Sequence, residues 1–313
     1  MSAPAQTGPG FLLTLNAGSS SLKFAVFCPD RPGEAVFAGT LGREANPVQW
    51  LDLVVARTAA VTGGAAWAGV GHRVVHGGPR FTAPQRITPE VLAELRQLVP
   101  FAPEHLPREL ALIEQVARRF PGVPQVACFD TAFHRTMPRV ATLLPIPRRY
   151  EAQGLRRYGF HGLSYAFLLR ELAQQAGAEA AAGRVLLAHL GNGASLAAVH
   201  RGQSVDTTMA FTPAAGLVMG TRTGDLDPGV GNFLARSERM TAAQFDRMVN
   251  HESGLLGVSE TSADMRELLE REAEDVRAAE AVALFCHAAK KAVGAGAAVL
   301  GVLDTLVFSC GIG

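Results

Sequence analysis

Residues 11–27 read FLLTLNAGSSSLKFAVF. An apolar run, 11–15, enters a polar turn, 16–21, and a second apolar run, 24–27, leaves it. β-Favouring residues on both sides of turn chemistry read as two strands joined by a tight loop. The turn region offers an amide (Asn16), a glycine (Gly18), hydroxyls that include Ser19 and Ser21, and then Lys23. Glycine lets backbone come close to a ligand, and successive N–H groups can form an anion-binding nest. Hydroxyls and an ammonium complete a phosphate cradle. The GxxxxGK(S/T) pattern is absent and no helix follows, so this is not a P-loop. Taken alone, an ordinary Ser-rich hairpin fits the stretch equally well.

Residues 185–199, VLLAHLGNGASLAAV, repeat the pattern: an apolar run, a turn with Asn192 and Gly193, and an apolar run. Each of the two units opens one half of the chain. The spacing is that of a whole domain rather than a solenoid repeat. The expected organisation is therefore α/β, with two related domains, 1–147 and 148–313, each turning a phosphate-facing hairpin toward a shared cleft. The proline- and arginine-rich stretch 138–157 has no period and is the expected link.

Other elements follow from punctuation and period. Strands are expected at 34–41, 70–75, 123–129 and 304–309, and helices at 48–61, 107–120, 241–250 and 274–300. Thr88-Pro89-Glu90 is a helix start, with a hydroxyl cap, proline at the first helical position and an acid in the first turn. Ser164 is expected to cap a helix ending near Gly177. Thr241 and Gln244 have the spacing of a capping box.

The chain has 313 residues, 48% hydrophobic and 18% charged, with net charge +1. That balance gives no electrostatic argument for nucleic acid or a membrane surface. Cys28, Cys128, Cys286 and Cys310 form no CxxC pair, which points to a reducing cytoplasm rather than a disulfide framework. No uninterrupted apolar run is long enough to span a bilayer.

Several residues could carry chemistry. Asp130 sits where a buried strand meets a loop, a place where a carboxylate can hold hydrated Mg²⁺ or orient a nucleophile. A helix cap is the alternative use. Arg73 and Arg222 are two guanidinium groups that, if they converge, would bind a carboxylate or a transferring phosphoryl group. His161 could donate to developing phosphoryl charge. The remaining histidines lack zinc-ligand spacing.

Eight segments together resemble the acetate kinase family of the actin-like ATPase superfamily. They are NAGSSSLKF from 16, GHRVVHGG from 71, FDTAFH from 129, RRYGFHGLS from 156, HLGNGAS from 189, FTPAAGLVMGTRTGDLDP from 211, SGLLGVSETSADMR from 253 and FSCGIG from 308. They stand in family order across nearly the whole chain. The resemblance implies two ribonuclease H-like domains around a central nucleotide cleft. It also implies reversible transfer of the ATP γ-phosphoryl group to a short-chain carboxylate, giving acyl phosphate and ADP, with Mg²⁺ as cofactor and a homodimer as the assembly. By motif position, Asn16 would help hold Mg²⁺, and Lys23, with Ser19 and Ser21, would face nucleotide phosphates. Arg73 would bind the substrate carboxylate, Asp130 would be the catalytic acidic residue, and His161 and Arg222 would stabilise the transition state. Val75, Phe160 and Pro213 would form the acyl pocket. His189, Leu190, Gly191, Asn192 and Gly193 would contact ATP phosphates, Asp264, Met265 and Arg266 the adenosine, and Gly311, Ile312 and Gly313 would begin the last nucleotide loop.

Three departures from the family pattern bear on activity. Glu104 stands where the family has an apolar pocket leucine, so it must point outward, with Leu106 filling in, or oppose a carboxylate ligand. Cys310 replaces a Gly or Ala. Family chains also run on past the closing GIG into a segment with a glutamate metal ligand and further elements. The expectation is that C-terminal elements are missing and that the literal chain is weakly active or inactive. The competing readings are a kinase of another small carboxylate or an alcohol, and a non-catalytic nucleotide-binding relative.

Overall fold

In the computed structural model, residues 10–18, 21–31, 33–42 and 49–312 are described. The chain divides into two compact units, Met1–Ala132 and Phe133–Gly313.

The first unit opens with β1 (Phe11–Ala17), β2 (Leu22–Phe27) and β3 (Ala35–Leu41). There follow α1 (Trp50–Thr62), β4 (Trp67–Val74), β5 (Gln85–Arg86), α2 (Pro89–Gln97), α3 (Leu106–Arg119) and β6 (Gln125–Phe129). The sheet order is β3-β2-β1-β4-β6-β5. β1, β2 and β3 pair antiparallel, whereas β4 and β6 run parallel to β1. The strands outrun the apolar runs: Asn16 and Lys23 are not turn residues but a cross-strand pair. Alternation of side chains then gives the sheet two faces. Leu13, Leu15, Leu22, Phe24, Val26 and Val70 point to one face and bury against Trp50, Leu51 and Val54 of α1 and Leu112 and Val116 of α3. Each such side chain contributes about 1.5–3 kcal/mol. The opposite face is set by the same pairings and carries Asn16, Lys23, Gly71 and Arg73.

Local chemistry behaves as expected at the caps. Thr88 Oγ1 accepts from Val91 N at 3.3 Å at the start of α2. Glu104 is exposed and Leu106 is fully buried.

The second unit contains α4 (Arg139–Thr142), α5 (Gly162–Ala176), α6 (Ala178–Ala182), β7 (Arg184–Leu190), β8 (Ala194–His200) and β9 (Gln203–Thr207). It continues with α7 (Pro228–Ser237), α8 (Ala242–His251), α9 (Gly254–Ser259), α10 (Met265–Arg271), α11 (Val276–Leu300) and β10 (Thr305–Ser309). Its sheet order is β10-β7-β8-β9, with β7, β8 and β9 antiparallel and β10 parallel to β7. This repeats the order and directions of β4-β1-β2-β3, so the two sequence hairpins do open the same kind of sheet. The run VLLA in β7 is apolar throughout because both faces are covered. Val185 and Leu187 pack on Tyr165 of α5. Leu186 faces α11, where a Cβ on Gly296 would lie 2.6 Å from its Cδ1.

Residues 133–157 hydrogen-bond within the second unit. His134 Nδ1 pairs with Ser204 Oγ at 2.8 Å, and Arg157 donates to the carbonyls of Thr207, Thr208 and Met209. Ser164 is not the cap of α5: His161 holds that position in a left-handed conformation (φ 59°), and Ser164 Oγ meets His189 Nδ1 at 2.9 Å. The capping box of Thr241 and Gln244 forms as expected. By length and composition α11 is apolar enough to cross a membrane, but it packs along β8 and against α9 and α10.

Candidate active site

In the first unit, the polar face of the sheet ends in one cluster. Arg73 Nε and Nη2 donate to Asp130 Oδ2 at 2.9 and 2.6 Å, and Arg73 Nη1 donates to Asn16 Oδ1 at 3.2 Å. Asp130 opens the 3-10 turn after β6; its side chain is 2% exposed and that of Arg73 21%. Burial opposes the guanidinium charge, but the Asp130 carboxylate outweighs it and holds Arg73 above its ordinary value. Lys23 is exposed beside Asn16, at a depression of about 500 Å³ that Thr14, Ala25 and Thr40 also line. Ser21 O accepts from Gly18 N at 2.8 Å and closes the hairpin. Val75, directly after β4, is 1% exposed. Ser19 lies outside the described residues, as does Gly313.

Sequence reading missed Glu109. It falls in the apolar stripe of α3 with Leu106, Leu110 and Ile113, and an acid in that stripe was the available signal. It is 2% exposed, Oε2 accepts from Val75 N at 3.0 Å, and among the described residues Oε1 has no hydrogen-bond partner. Burial pushes the carboxyl up to about 7, against the pull of the Arg73 charge and the Val75 N–H. The native state thus binds this proton more tightly than the unfolded chain, whose glutamate titrates near 4.5. Stability is lost as pH rises from there to about 7, by about 3 kcal/mol in all. His72 works the other way: burial lowers it to about 4, so its contribution is lost as pH falls from about 6.5. Urea unfolding of Glu109→Gln against the unsubstituted protein isolates the first effect. The variant should gain relative stability between about pH 5 and pH 7.5, and parallel curves would refute the assignment.

In the second unit, one end of the sheet gathers most of the expected nucleotide residues. The turn between β7 and β8 is held by Gly191 N donating to Gly193 O at 3.1 Å. A Cβ on Gly193 would lie 3.4 Å from Arg222 Nη1 and 3.5 Å from His161 Nε2, so both side chains flank this backbone. His161 Nδ1 pairs with Ser195 Oγ at 2.8 Å, and Ser195 also contacts the hydroxyl of Tyr165. The His161 and His189 rings stack with centroids 4.0 Å apart. Arg222 Nη1 donates to Pro213 O at 3.2 Å. Phe160 is 1% exposed, and its carbonyl meets His134 Nε2 at 2.9 Å.

The chain end joins the same region. Ile312 N donates to Leu190 O at 3.0 Å, Cys310 Sγ lies 3.3 Å from His189 Nε2, and Gly311 faces open space. Cys310 has φ 73°, a left-handed conformation that favours the glycine of the family pattern. Gly220 N donates to Asn192 O at 3.0 Å, and a Cβ on Gly220 would lie 3.2 Å from Ala263 O, which brings the segment of Asp264 close. Asp264 caps α10. The Arg266 side chain and backbone N–H together hold its carboxylate down to about 2. Leu190 and Met265 are only 5% and 6% exposed, so their side chains serve the core and their backbone is what they can present.

The loop of Arg222 is fixed from behind. Leu255 N donates to Met219 O at 2.8 Å and Ser253 N to Thr221 O at 3.0 Å. Gly254 has φ 63°, and a Cβ there would stand 2.1 Å from Met219 O. Gly254→Ala is expected to cost about 3 kcal/mol from strain and crowding. Urea unfolding checks this, and an unchanged midpoint would refute it.

Three antiparallel strands extended by a parallel fourth, present in both units, make an actin-like ATPase fold. The acetokinase family model matches residues 54–313, and the chain belongs to that family. An acetate kinase of Rhodopseudomonas palustris is 51% identical over 78% of this chain, and the match spans 61% of that protein's length. One of Synechococcus sp. is 42% identical over 96% of this chain and 83% of its own. Among solved structures, Porphyromonas gingivalis acetate kinase superposes with a TM-score of 0.86 at 34% identity, over 97% of this chain and 83% of that one. A propionate kinase from Francisella tularensis gives 0.86 at 33%, over 97% and 84%.

Proposed function

We propose that the protein transfers the γ-phosphoryl group of ATP reversibly to acetate or another short-chain carboxylate, giving acyl phosphate and ADP. The observation that carries this reading is the state of Arg73. Three of its five N–H donors are engaged by Asp130 and Asn16, which fixes the guanidinium plane. Among the described residues the other two donors are unengaged, on a part-exposed cation, the arrangement a carboxylate binds in bidentate fashion. A carboxylate is already a nucleophile, so no strong general base is required. The protein contributes position and charge. Asp130 orients Arg73 and sets the charge beside the bound acid. His161, held through Nδ1 by Ser195, and Arg222, held by Pro213, would meet the charge that develops on the phosphoryl oxygens. The backbone of Gly191, Asn192 and Gly193, with Lys23 and Ser21 of the first hairpin, would take the nucleotide phosphates, Asp264 and Arg266 the adenosine, and Gly311 and Ile312 the adjoining loop.

Among the described residues no three His, Cys, Asp or Glu side chains are placed to hold a metal. Mg²⁺ on a nucleotide takes most of its ligands from phosphate and water and needs only one or two protein oxygens. The amide oxygen of Asn16 is a donor of that kind and would be the protein's contribution. When bound, the ion would supply charge neutralisation to the nucleotide phosphates. Val75, Phe160 and Pro213 would bound the acyl tail. Such a pocket separates acids by only about 1–3 kcal/mol per methylene, so acetate and propionate are both fitting substrates. A cytoplasmic homodimer is the corresponding assembly, to be read by light scattering.

The test is hydroxylamine trapping of acyl phosphate with MgATP and acetate, propionate or butyrate. Acid-dependent hydroxamate, even at slow turnover, is expected. Nucleotide binding without any hydroxamate would favour a non-catalytic relative, and phosphorylated polyol in its place would favour an alcohol kinase.

A further inference from the structure

We propose that Glu109 is a positioning residue whose proton sets the net charge around the Arg73–Asp130 pair and so tunes how tightly that pair holds an anionic ligand. This rests on the reading of Arg73 as the carboxylate-binding group. Glu109 belongs to none of the family-like motifs and touches no reacting atom in that scheme. Its Oε2 is tied to the backbone N–H of Val75, two residues beyond Arg73 on the same length of chain. Its Oε1 is buried with no hydrogen-bond partner among the described residues. A buried carboxylate oxygen without a donor is costly, whereas a protonated carboxyl is not.

The charges that act on Glu109 are Arg73 on β4 and Asp130 after β6. Other titratable groups stand on the elements around it. His72 of β4 is kept neutral by burial. Glu114 of α3 pairs with Arg96 of α2, and Arg119 of α3 with Asp52 of α1. His76 follows β4, and its Nδ1 accepts from Gly78 N at 2.8 Å. His105 and Arg108 lie at the start of α3. One guanidinium therefore faces one obligatory carboxylate and one conditional one. With Glu109 protonated the group of three is neutral; with Glu109 ionised it carries a net negative charge. An arriving carboxylate meets the second state as a like charge. Because Glu109 titrates near neutrality, the two states exchange within the working pH range.

The experiment measures acetate binding by calorimetry at about pH 6 and about pH 8.5, in the full chain and in Glu109→Gln and Glu109→Ala. Infrared difference spectra report the protonated carboxyl band over the same range. The unsubstituted protein should bind acetate about tenfold more tightly at the lower pH. Glu109→Gln keeps an acceptor for Val75 N–H without a charge. It should bind at both pH values as the unsubstituted protein does at the lower one, and it should lack the titrating band. Glu109→Ala strands the Val75 N–H and should bind weakly at both. A purely structural role would weaken both variants alike and leave the pH dependence unchanged, which would overturn the proposal. So would the absence of a titrating band assignable to Glu109. If no variant binds acetate at either pH, the carboxylate reading of Arg73 falls and takes this proposal with it. A titrating band beside flat acetate binding overturns the coupling alone.

Discussion

Arg73→Ala is expected to abolish acetate binding and to cost about 3–5 kcal/mol of stability, because it strands a buried carboxylate. Asp130 is 2% exposed, and Oδ2 receives both of its charged hydrogen bonds from this one guanidinium. Removing the cation also takes a donor from Asn16 and the attractive charge from Glu109. The double variant Arg73→Ala/Asp130→Ala should be less destabilised than the sum of the single variants, since the second substitution removes the charge that the first left unpaired. Arg73→Lys should restore part of the stability and little of the binding. An ammonium can neutralise Asp130 but cannot hold Asp130, Asn16 and a substrate in one plane. Urea unfolding and acetate calorimetry read the two effects separately. An Arg73→Ala protein that melts within 1 kcal/mol of the original, or still binds acetate, would remove the basis of the functional proposal.

Arg222→Ala should lower the rate of acyl phosphate formation by about 10³–10⁵, the usual effect of an arginine that meets phosphoryl charge in the transition state. Nucleotide affinity should change by less than about tenfold, because the backbone turn at Gly191, Asn192 and Gly193 is untouched. The loop should survive the change. Met219 N bonds to Arg222 O, Thr223 N to Val249 O and Leu255 N to Met219 O, all through backbone atoms that alanine keeps. Single-turnover trapping with hydroxylamine, beside nucleotide calorimetry, checks both halves. A loss confined to nucleotide affinity would assign Arg222 to ground-state binding instead. Gly193→Val offers an independent approach, since its side chain would push between Arg222 Nη1 and His161 Nε2 and impair the rate with both side chains still present.

Much of this organisation was legible in the chain itself. The opening hairpin and its partner at 185–199 gave two related α/β units, because short apolar runs broken by Gly turns read as strand pairs. Family-like motifs named Arg73, Asp130, His161 and Arg222 as the groups worth inspecting. Caps at Thr88 and Thr241 were correct because they depend only on neighbours a few residues away. Ser164 failed for the complementary reason. Its hydroxyl is drawn to His189, a residue 25 positions distant, and His161 takes the helix start. Asn16 looked like a turn residue, yet cross-strand pairing with Lys23 extended β1 past the apolar run.

What residue order determined is the alphabet of the site: which acids, cations and glycines exist, and which sit at strand ends. Tertiary structure decided their partners. That Arg73 spends three donors on Asp130 and Asn16, that Gly193 lies between His161 and Arg222, and that Glu109 is buried with one oxygen unpaired all depend on contacts between strands and helices far apart in sequence. Burial and hydrogen-bond partnership are properties of packed neighbours. Local pattern therefore specifies where a side chain starts, and the assembled sheet specifies what it meets.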